Sequence, residues 1–567
     1  YTDPNPFKEF HLGHMYSNFI GESVSRLFEA CGAKVWRGDF YGDVGMHVAK
    51  SVWGMMEKMA QEKITLDDLN NLSIKERQKF LGRCYAAGVR KFEEDKTIQE
   101  KIRELNSLIY VAGQEALRKS KDWQPIVDYR QYIVGREEML PKVQRIYEAG
   151  LHWSLEYFET IYQRLRTKFD GYYPESWAGE YGMKLVEKGL KIGALEKSEG
   201  TVVYRGEKDG LHTRVFVNKL GLPTYEAKDL GLALAKYQDF KYDVSINVFG
   251  REIDEYYKVV RAAMRKIIPE LGSKAYYIAH GMVRLPEGKM SSRTGNVVTF
   301  EWLLDEAKKY ALKIMKDIDL GEAEKQTVAQ EVGVGAVRYA LLKNSPGNDV
   351  VFDFDKSVSF EGDSGPYLMY TYARCKSVIR KANDLNSKLK SLSRAQSRDQ
   401  NSKVQLKTQK SESAKDTWKV TLDGSFQVEE AVKYLNSEEL SLLRAIYRFP
   451  EVVVESTRTL SPNLVCSFLF DLAQKYNLFY NKHSILNPAP RHIDGKTPGR
   501  WPAHSYAVVA GLLPGGGISK SLFEVEGSED ADYRVKSATF RLALTAATAQ
   551  ILKQGLYLLG IETVERM

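Results

Sequence analysis

Cysteine is scarce: Cys31, Cys84, Cys375 and Cys466 are the four in 567 residues, and they are scattered. No Cys-x-x-Cys pair offers two thiolates to a tetrahedral zinc and no close spacing suggests a disulfide framework, so no structural zinc is expected and a reducing, cytoplasmic setting is. Long apolar runs are lacking too, which excludes a helical membrane span. The chain opens Tyr-Thr-Asp-Pro, with neither an initiator Met nor a signal peptide, and residues upstream of Tyr1 are expected. There is no internal repeat, so a solenoid or propeller is excluded. Strong charge of one sign is also missing. Lys and Arg number 82 against 74 Asp and Glu, and the excess of +8 mildly favours a polyanionic partner without identifying one.

What is present is 43% apolar residues, enough for several packed cores, so a multidomain protein is expected. A polar, Pro-containing entry from Asp3 to Phe10 precedes an apolar pattern through Met15, Phe19, Ile20, Val24, Leu27 and Phe28, which predicts a helix ended by Cys31-Gly32. Ala33 to Arg37 reads as a short strand before the turn Tyr41-Gly-Asp-Val-Gly45. Residues 51 to 166 read as charged, largely helical inserted material. Strands return at Thr201–Tyr204, Thr213–Val217, Val244–Val248 and Tyr276–Val283, with helices around Leu230 and Tyr257 between them. From Phe300 onward helical periodicity dominates. The fold expected is therefore α/β, a doubly wound parallel sheet of Rossmann type with helical insertions, followed by an all-α bundle. The boundaries are 1–300 for the α/β domain, with about 51–200 inserted, 301–356 for a linking helical segment and 357–567 for the bundle. Polar insertions are expected near 386–416, rich in Ser, Lys and Gln, and near 487–533, with Pro, Gly-Gly-Gly and an acidic run.

Two motifs carry chemistry. His11-Leu-Gly-His14 opens the first helix, where unpaired N–H groups and partial positive charge accumulate. Two imidazoles three apart can hydrogen-bond phosphates there, and Gly13 lets a flat base approach the backbone. Far downstream, Lys289-Met-Ser-Ser-Arg-Thr-Gly-Asn296 lies between a predicted strand and a helix beginning near Thr299. Lys289 offers a mobile point charge to a triphosphate, and Ser291 and Ser292 add donors. A third stretch, Leu222-Pro-Thr-Tyr-Glu-Ala-Lys-Asp229, places Tyr225 and Asp229 four apart, on one face of a helical turn.

Together the first two motifs resemble those of the class I aminoacyl-tRNA synthetases, in which such a pair brackets ATP on a doubly wound sheet. The resemblance narrows to the arginyl-tRNA synthetases. Its pieces run in order: Asp3-Pro-Asn-Pro-Phe-Lys-Glu-Phe-His-Leu-Gly-His14, Gly42-Asp-Val-Gly45, Pro174-Glu-Ser-Trp177, Thr224-Tyr-Glu-Ala-Lys-Asp229, Lys289 to Asn296 and the closing Leu558-Leu-Gly-Ile-Glu-Thr-Val-Glu-Arg-Met567. It implies an arginine–tRNA ligase that forms arginyl-adenylate from L-arginine and ATP with Mg²⁺, then transfers arginine to the 3′ adenosine of arginine tRNA. It places Asn5, Tyr225 and Asp229 at arginine-binding positions and His11, Gly13, His14, Lys289, Ser291 and Ser292 at ATP-binding ones. The catalytic set it implies is Lys8, His11, His14 and Lys289. Lys8 enters because Ser292 stands where the loop's second lysine would be, and a lysine just before the histidine motif can supply the missing charge. Glu252 is a further candidate for arginine, in Phe249-Gly-Arg-Glu-Ile-Asp254, where the family often has a Gln.

The helical half resembles the family's anticodon-binding bundle. Gly365-Pro-Tyr-Leu-Met-Tyr-Thr-Tyr-Ala-Arg374 supplies Tyr370 and Arg374 as candidate tRNA contacts, with Met567 at the terminus. Activation of arginine is implied to await bound tRNA. The expected partners are arginine tRNA, L-arginine and ATP, with no membrane and a monomeric chain. A cysteinyl- or class I lysyl-tRNA synthetase shares both ATP motifs, but the first normally brings zinc-spaced Cys and His, which this chain lacks. A small nucleotidyltransferase needs no helical domain of this size, and an inactive RNA-binding relative would not need His11, His14 and Lys289.

Overall fold

The computed structural model describes residues 1–121, 123–284, 299–316, 318–396, 435–487 and 529–567. These form two compact units, Tyr1–Asp305 with Asn344–Asp353, and Glu306–Lys343 with Phe354–Met567. The motif segment carrying Lys289, Ser291 and Ser292 lies outside the described residues, as do most of both polar insertions.

The first unit opens with α1 (Leu12–Ala30), which buries nearly every residue from His14 to Leu27 and stops at Cys31, where Gly32 takes a left-handed φ of 89°. No strand follows at Ala33–Arg37. The chain there is irregular and largely exposed, and β1 (Gly38–Tyr41) comes one step later. The physical reason is pairing: Val35 and Trp36 have strand propensity, but among the described residues no strand lies beside them, and propensity without a ladder does not make a strand. The expected inserted helices follow as α2 (Met46–Glu62), α3 (Leu66–Asn70), α4 (Ile74–Glu94), α5 (Lys96–Lys121) and α6 (Leu140–Leu165). Their apolar faces share one core around Val48, Met55, Phe80, Ile109 and Trp153. The starts of α3 and α4 are fixed by capping boxes, Thr65 with Asp68 and Ser73 with Glu76.

β2 (Gly171–Pro174) returns parallel to β1, Gly38 opposite Gly171 and Tyr41 opposite Pro174, and runs straight into α7 (Glu175–Lys191). An antiparallel sheet of β3 (Glu196–Ser198), β4 (Thr201–Tyr204) and β5 (Arg214–Val217) leads to α8 (Tyr225–Asp239). Then come β6 (Ser245–Gly250), α9 (Asp254–Ile267), α10 (Pro269–Lys274) and β7 (Ala275–His280), with β6 and β7 parallel from Ser245–Ala275 to Gly250–His280. Helices α7, α8 and α9 pack with β4, β5 and β6 around Leu185, Phe216, Leu230 and Met264. β8 (Val283–Arg284) precedes α11 (Phe300–Ile314) and α12 (Glu322–Leu342), after which β9 (Val350–Val351) pairs parallel with β8. Among the described residues hydrogen bonds group these strands into four separate small sheets.

The second unit is helical: the later part of α11 and α12, then α13 (Phe354–Ser357), α14 (Gly365–Gln396), α15 (Ser437–Arg458), α16 (Asn463–Lys482) and α17 (Glu529–Leu558). Two insertion edges are more regular than expected. Asn386 to Gln396 continues α14, and α17 starts at Glu529. Inside the unit Arg338 is fully buried and donates to the Gly560 carbonyl, pinning the tail to α12.

Candidate active site

The entry to α1 is a tight polar turn. Phe7 adopts a left-handed φ of 66°, its N–H donates to Ser154 Oγ at 2.8 Å, and its ring fills the space that a Cβ on Gly150 would occupy. A strained backbone held by α6 therefore places Asn5, Lys8 and His11 in sequence along the loop. His11 caps α1: its Nδ1 accepts from Gly13 N at 3.2 Å, while His14 Nδ1 accepts from the His11 N–H at 3.4 Å. The two rings stack with centroids 3.5 Å apart. A Cβ on Gly13 would stand 3.1 Å from the His11 ring, so a side chain there would have to shift that ring by a few tenths of an ångström.

The first turn of α1 carries no acid, so its positive end is left for a bound anion. Burial, then His11 and Lys8, hold His14 well below the usual histidine range, so it is a neutral hydrogen-bonding ring rather than a cation. Lys8 supplies the charge. Its Nζ lies 4.6 Å over the Tyr85 ring, and burial lowers its pKa while Glu175 opposes that shift. Both described flanks of the Lys289 segment come back to this place. Thr299 bridges His11, Phe300 packs on Phe10 with centroids 5.4 Å apart, and His280, at the end of β7, meets Ser17 Oγ at 2.7 Å.

A cavity of about 1080 Å³ runs along the later part of α1, at Gly21, Val24, Ser25 and Phe28. Asn5, Tyr225, Asp229 and Glu252 all line it, so the four residues expected to hold arginine share one space although they come from three separate stretches of chain. Asp229 Oδ2 accepts from the Tyr256 hydroxyl, and burial pushes the carboxyl up to about 7. Tyr225 opens α8 and is 55% exposed, so it is not a core aromatic. Glu252 follows β6, folds back over Gly250 and bears electrostatically on His11 and His280. Lys8, His11, Gly13 and His14 are not in the cavity wall. Tyr370, Arg374 and Met567 belong to the other unit: the Arg374 guanidinium lies 4.8 Å from the Tyr370 ring and 5.0 Å from that of Tyr480, and the tail before Met567 is tied to α14 by Lys376 and Glu565 at 2.9 Å.

The structure adds residues to which the sequence reading gave no role. Glu175 lines the cavity at the first position of α7, and Oε2 is 2.5 Å from Lys228 Nζ. Asp43 fixes that helix start, accepting from Ser176 N at 2.8 Å, Ser176 Oγ at 2.6 Å and Tyr147 OH at 3.1 Å, and burial raises its carboxyl to about 6. On the far wall Lys236 donates to Ser245 Oγ at 2.9 Å and Asn247 Oδ1 at 2.8 Å, and burial lowers it to about 8. Glu175, Asp43 and Lys228 sit inside stretches quoted above for their family resemblance. Nothing in their spacing says that a helix N-terminus and a second helix converge on them.

Residues 1–354 match the family described as tRNA synthetases class I (R), catalytic domain, and residues 368–494 and 525–567 match the DALR anticodon binding domain. An arginine–tRNA ligase of Flavobacterium psychrophilum is 28% identical over 574 residues, covering 100% of this chain and 78% of that protein. One from Fusobacterium nucleatum is 30% identical over 498 residues, 86% of this chain and 73% of that protein. Among solved structures, the Thermus thermophilus arginyl-tRNA synthetase is similar with a TM-score of 0.64 at 21% identity, over 100% of this chain and 82% of that one. The Plasmodium falciparum enzyme gives 0.62 at 16%, over 100% and 76%.

Proposed function

The chain belongs to the class I tRNA synthetases for arginine and is an arginine–tRNA ligase, and from that premise we propose how its residues divide the work. The arginine carboxylate attacks the α-phosphorus of ATP, pyrophosphate leaves, and the 3′-terminal adenosine hydroxyl of tRNA takes the arginyl group from the adenylate and releases AMP. No protein nucleophile is involved, so catalysis is alignment and electrostatic stabilisation.

The convergence of Asn5, Tyr225, Asp229 and Glu252 on one cavity carries this reading, with Glu252 also bearing on His11 at the entry to α1. Asp229 receives the guanidinium and Tyr225 covers it, with Asn5 and Glu175 lining the same cavity. The arginine carboxylate then faces the helix end, where His11, His14 and Lys8 hold the phosphates of ATP, entering as its Mg²⁺ complex. Lys289, Ser291 and Ser292 complete the phosphate site from a segment whose two described flanks end at His11 and β8. Glu252 stands between the two halves of the site. Structural zinc has no part in the reading, because the cysteines lack zinc spacing.

Residues 1–300 are assigned to catalysis, 301–356 to the link and 357–567, with Tyr370, Arg374 and Met567, to the anticodon side of tRNA. The sheets β1–β2 and β6–β7 are assigned to one doubly wound parallel sheet. Tyr1 N donates to Gly38 O at 3.0 Å and Gly42 N to Pro4 O at 3.3 Å, so residues 1–4 run parallel along β1, and the cavity between β1 and β6 is lined by Phe40 on one side and Ile246 on the other. One chain supplies both the arginine cavity and the histidine motif, which supports a monomer, to be checked by mass in solution. Among the described residues no helix is long and apolar enough to cross a membrane. The four cysteines, all free thiols, support a reducing cytoplasm, to be checked by localising the tagged protein.

The test is charging of arginine tRNA with labelled arginine, lysine and cysteine, for the chain as it stands and for Asp229→Ala. Only arginine should be accepted. The variant should raise the arginine KM by about 10- to 150-fold, the range for losing a charge-assisted contact, with little change in the ATP KM. Unchanged arginine kinetics would remove Asp229 from the pocket.

A further inference from the structure

The loop that leads into α1 is held from two sides. On one, α6 takes the Phe7 N–H through Ser154. On the other stands α4, a helix of the inserted stretch that contributes nothing to the arginine cavity. Its residues Gln78, Gly82 and Tyr85 follow one another at spacings of four and three, so they share one face, and that face meets Lys8 and Glu9. The buried Gln78 side chain donates from Nε2 to the Lys8 carbonyl at 2.6 Å. A Cβ on Gly82 would stand 3.4 Å from Glu9 Oε1, so the loop lies against the helix with room for hydrogen only. One turn further along, the Lys8 ammonium lies 4.6 Å over the half-buried Tyr85 ring.

This face is fixed in place by the packing of α4 on α2. A Cβ on Gly54 would meet the Cys84 carbonyl, and one on Gly88 the Lys50 carbonyl, each at 2.1 Å. Cys84 and Gly88 flank Tyr85 in α4, so the ring cannot slide past α2 without two backbones separating. A rigid pair of helices therefore stands behind a lysine carried on a loop.

Fixing a lysine ammonium against a phosphate is entropically costly unless something has already restricted its many rotamers. A carboxylate would restrict it but would also cancel the charge that a phosphate needs. An aromatic face restricts it and carries no formal charge. Among the described residues no carboxylate lies within ion-pair reach of Lys8. Glu175 bears on it electrostatically and is itself paired to Lys228 at 2.5 Å, while Glu9 has Lys79 and Glu301 as its charged neighbours. The imidazoles of His11, His14 and His47 are lowered by burial and then by neighbouring charge that includes Lys8, so they add no rival cation.

We propose that Gln78 and Tyr85 are positioning residues for the ATP step: α4 holds the Lys8 backbone through the Gln78 amide and its ammonium through the Tyr85 ring, so that a positive charge with no ion-pair partner is already placed for the phosphates. Neither residue touches ATP; both act through Lys8. The inserted helices thereby become part of the phosphate site. The inference rests on the assignment of Lys8 to the phosphates of ATP.

The experiment is charging of arginine tRNA with ATP varied at saturating arginine and tRNA, for Tyr85→Phe, Tyr85→Leu, Gln78→Met and Lys8→Met, and for Y85L combined with K8M. The arginine KM is read in parallel. Y85F keeps the ring face and should stay within about twofold of the wild type. Y85L should lower kcat/KM for ATP about three- to thirtyfold, the span of a cation–π contact from exposed to desolvated, and should change the arginine KM by less than about twofold. Q78M should act in the same direction, because a loop carbonyl that loses its donor releases the lysine to which it belongs. In the K8M background Y85L should cost little further, the coupling expected when one residue acts through another. A folding defect in Y85L would be carried into both backgrounds alike, so this comparison reports even where Y85L is less stable. The proposal is overturned by a Y85L loss that is undiminished in K8M, that is matched by Y85F, or that is as large in the arginine KM as in kcat/KM for ATP. A Y85L enzyme with wild-type ATP kinetics overturns it too. K8M separates the two failures. If K8M lowers kcat/KM for ATP and Y85L does not, the positioning role of α4 falls alone; if K8M leaves ATP kinetics unchanged, Lys8 is not at the phosphates and both fall.

Discussion

At the scale of single residues the acid proposed to bind arginine, Asp229, would also sense pH. Burial pushes Asp229 up to about 7 against a hydrogen bond from Tyr256 that pulls it down. The ionised form receives the guanidinium, and a bound guanidinium lowers the carboxyl, so the complex holds fewer protons than the free enzyme and binding tightens as pH rises. The arginine KM should fall through about pH 7 and level off above it, measured from pH 5.5 to 8.5. Asp229→Asn should flatten that titration, and a flat wild-type profile would count against Asp229 as the guanidinium partner. Stability responds with the opposite sense: between 3.8 and about 7 the folded chain keeps a proton that the unfolded chain has lost, so this group's contribution to stability diminishes as pH rises through that window. Asp229 and Tyr225 were singled out in the sequence by the family resemblance, and a spacing of four on a helical turn is compatible with that but does not select them. Glu175 and Lys228 were not legible as a pair: they are 53 positions apart, and their 2.5 Å contact exists only because α7 and α8 pack together.

That packing is the element-scale question, and glycine answers it. A Cβ on Gly231 would lie 1.9 Å from the Ala178 carbonyl and one on Gly182 2.0 Å from that of Ala227, so each glycine lets the opposite backbone approach. In an exposed helix Gly→Ala would stabilise by about 1 kcal/mol. Here overpacking, typically about 1–3 kcal/mol, opposes and outweighs it, because the obstacle is backbone carbonyl rather than a side chain that can turn away. Gly231→Ala should therefore lower the melting temperature and raise the arginine KM, since α7 carries Glu175 and α8 carries Tyr225, Lys228 and Asp229. Gly347→Ala, where nothing lies within 4 Å of the added methyl, is the control and should leave both nearly unchanged. A melting temperature for G231A equal to that of the control would show that the two backbones can separate at no cost. Helix periodicity made α8 and α9 readable, and β4 to β6 were found within a residue or two, whereas the strand expected at Tyr276–Val283 ends at His280 and Val283 begins the separate β8. Ala33–Arg37 was misread because a strand depends on its neighbour, and a local pattern does not contain the neighbour.

For the whole molecule, the net charge of +8 distinguishes the two kinds of partner. Transfer RNA is bound through phosphates, whose released counterions make affinity fall with salt by roughly 0.7 to 0.9 log units per log unit of salt for each phosphate neutralised. Arginine is a small zwitterion-like cation in a sheltered cavity and exchanges few ions. Raising salt from about 50 to 200 mM should therefore raise the tRNA KM steeply and the arginine KM little. Arg374 makes the contrast specific. It is held between the rings of Tyr370 and Tyr480 and bonded to Asn477, whose amide donates to Tyr367 at 2.9 Å and Thr371 at 3.0 Å, so a rigid aromatic and cationic surface stands ready in the helical unit. Stacking of a base on such a surface is worth about 1–3 kcal/mol. Arg374→Ala should raise the tRNA KM about tenfold and leave the arginine KM and its pH profile as in the wild type, while Asp229→Ala does the reverse. Should R374A instead move the arginine KM as far as the tRNA KM, the division of labour between a catalytic unit and an anticodon-binding unit would be wrong, because a lesion confined to α14 would then be acting on the arginine cavity.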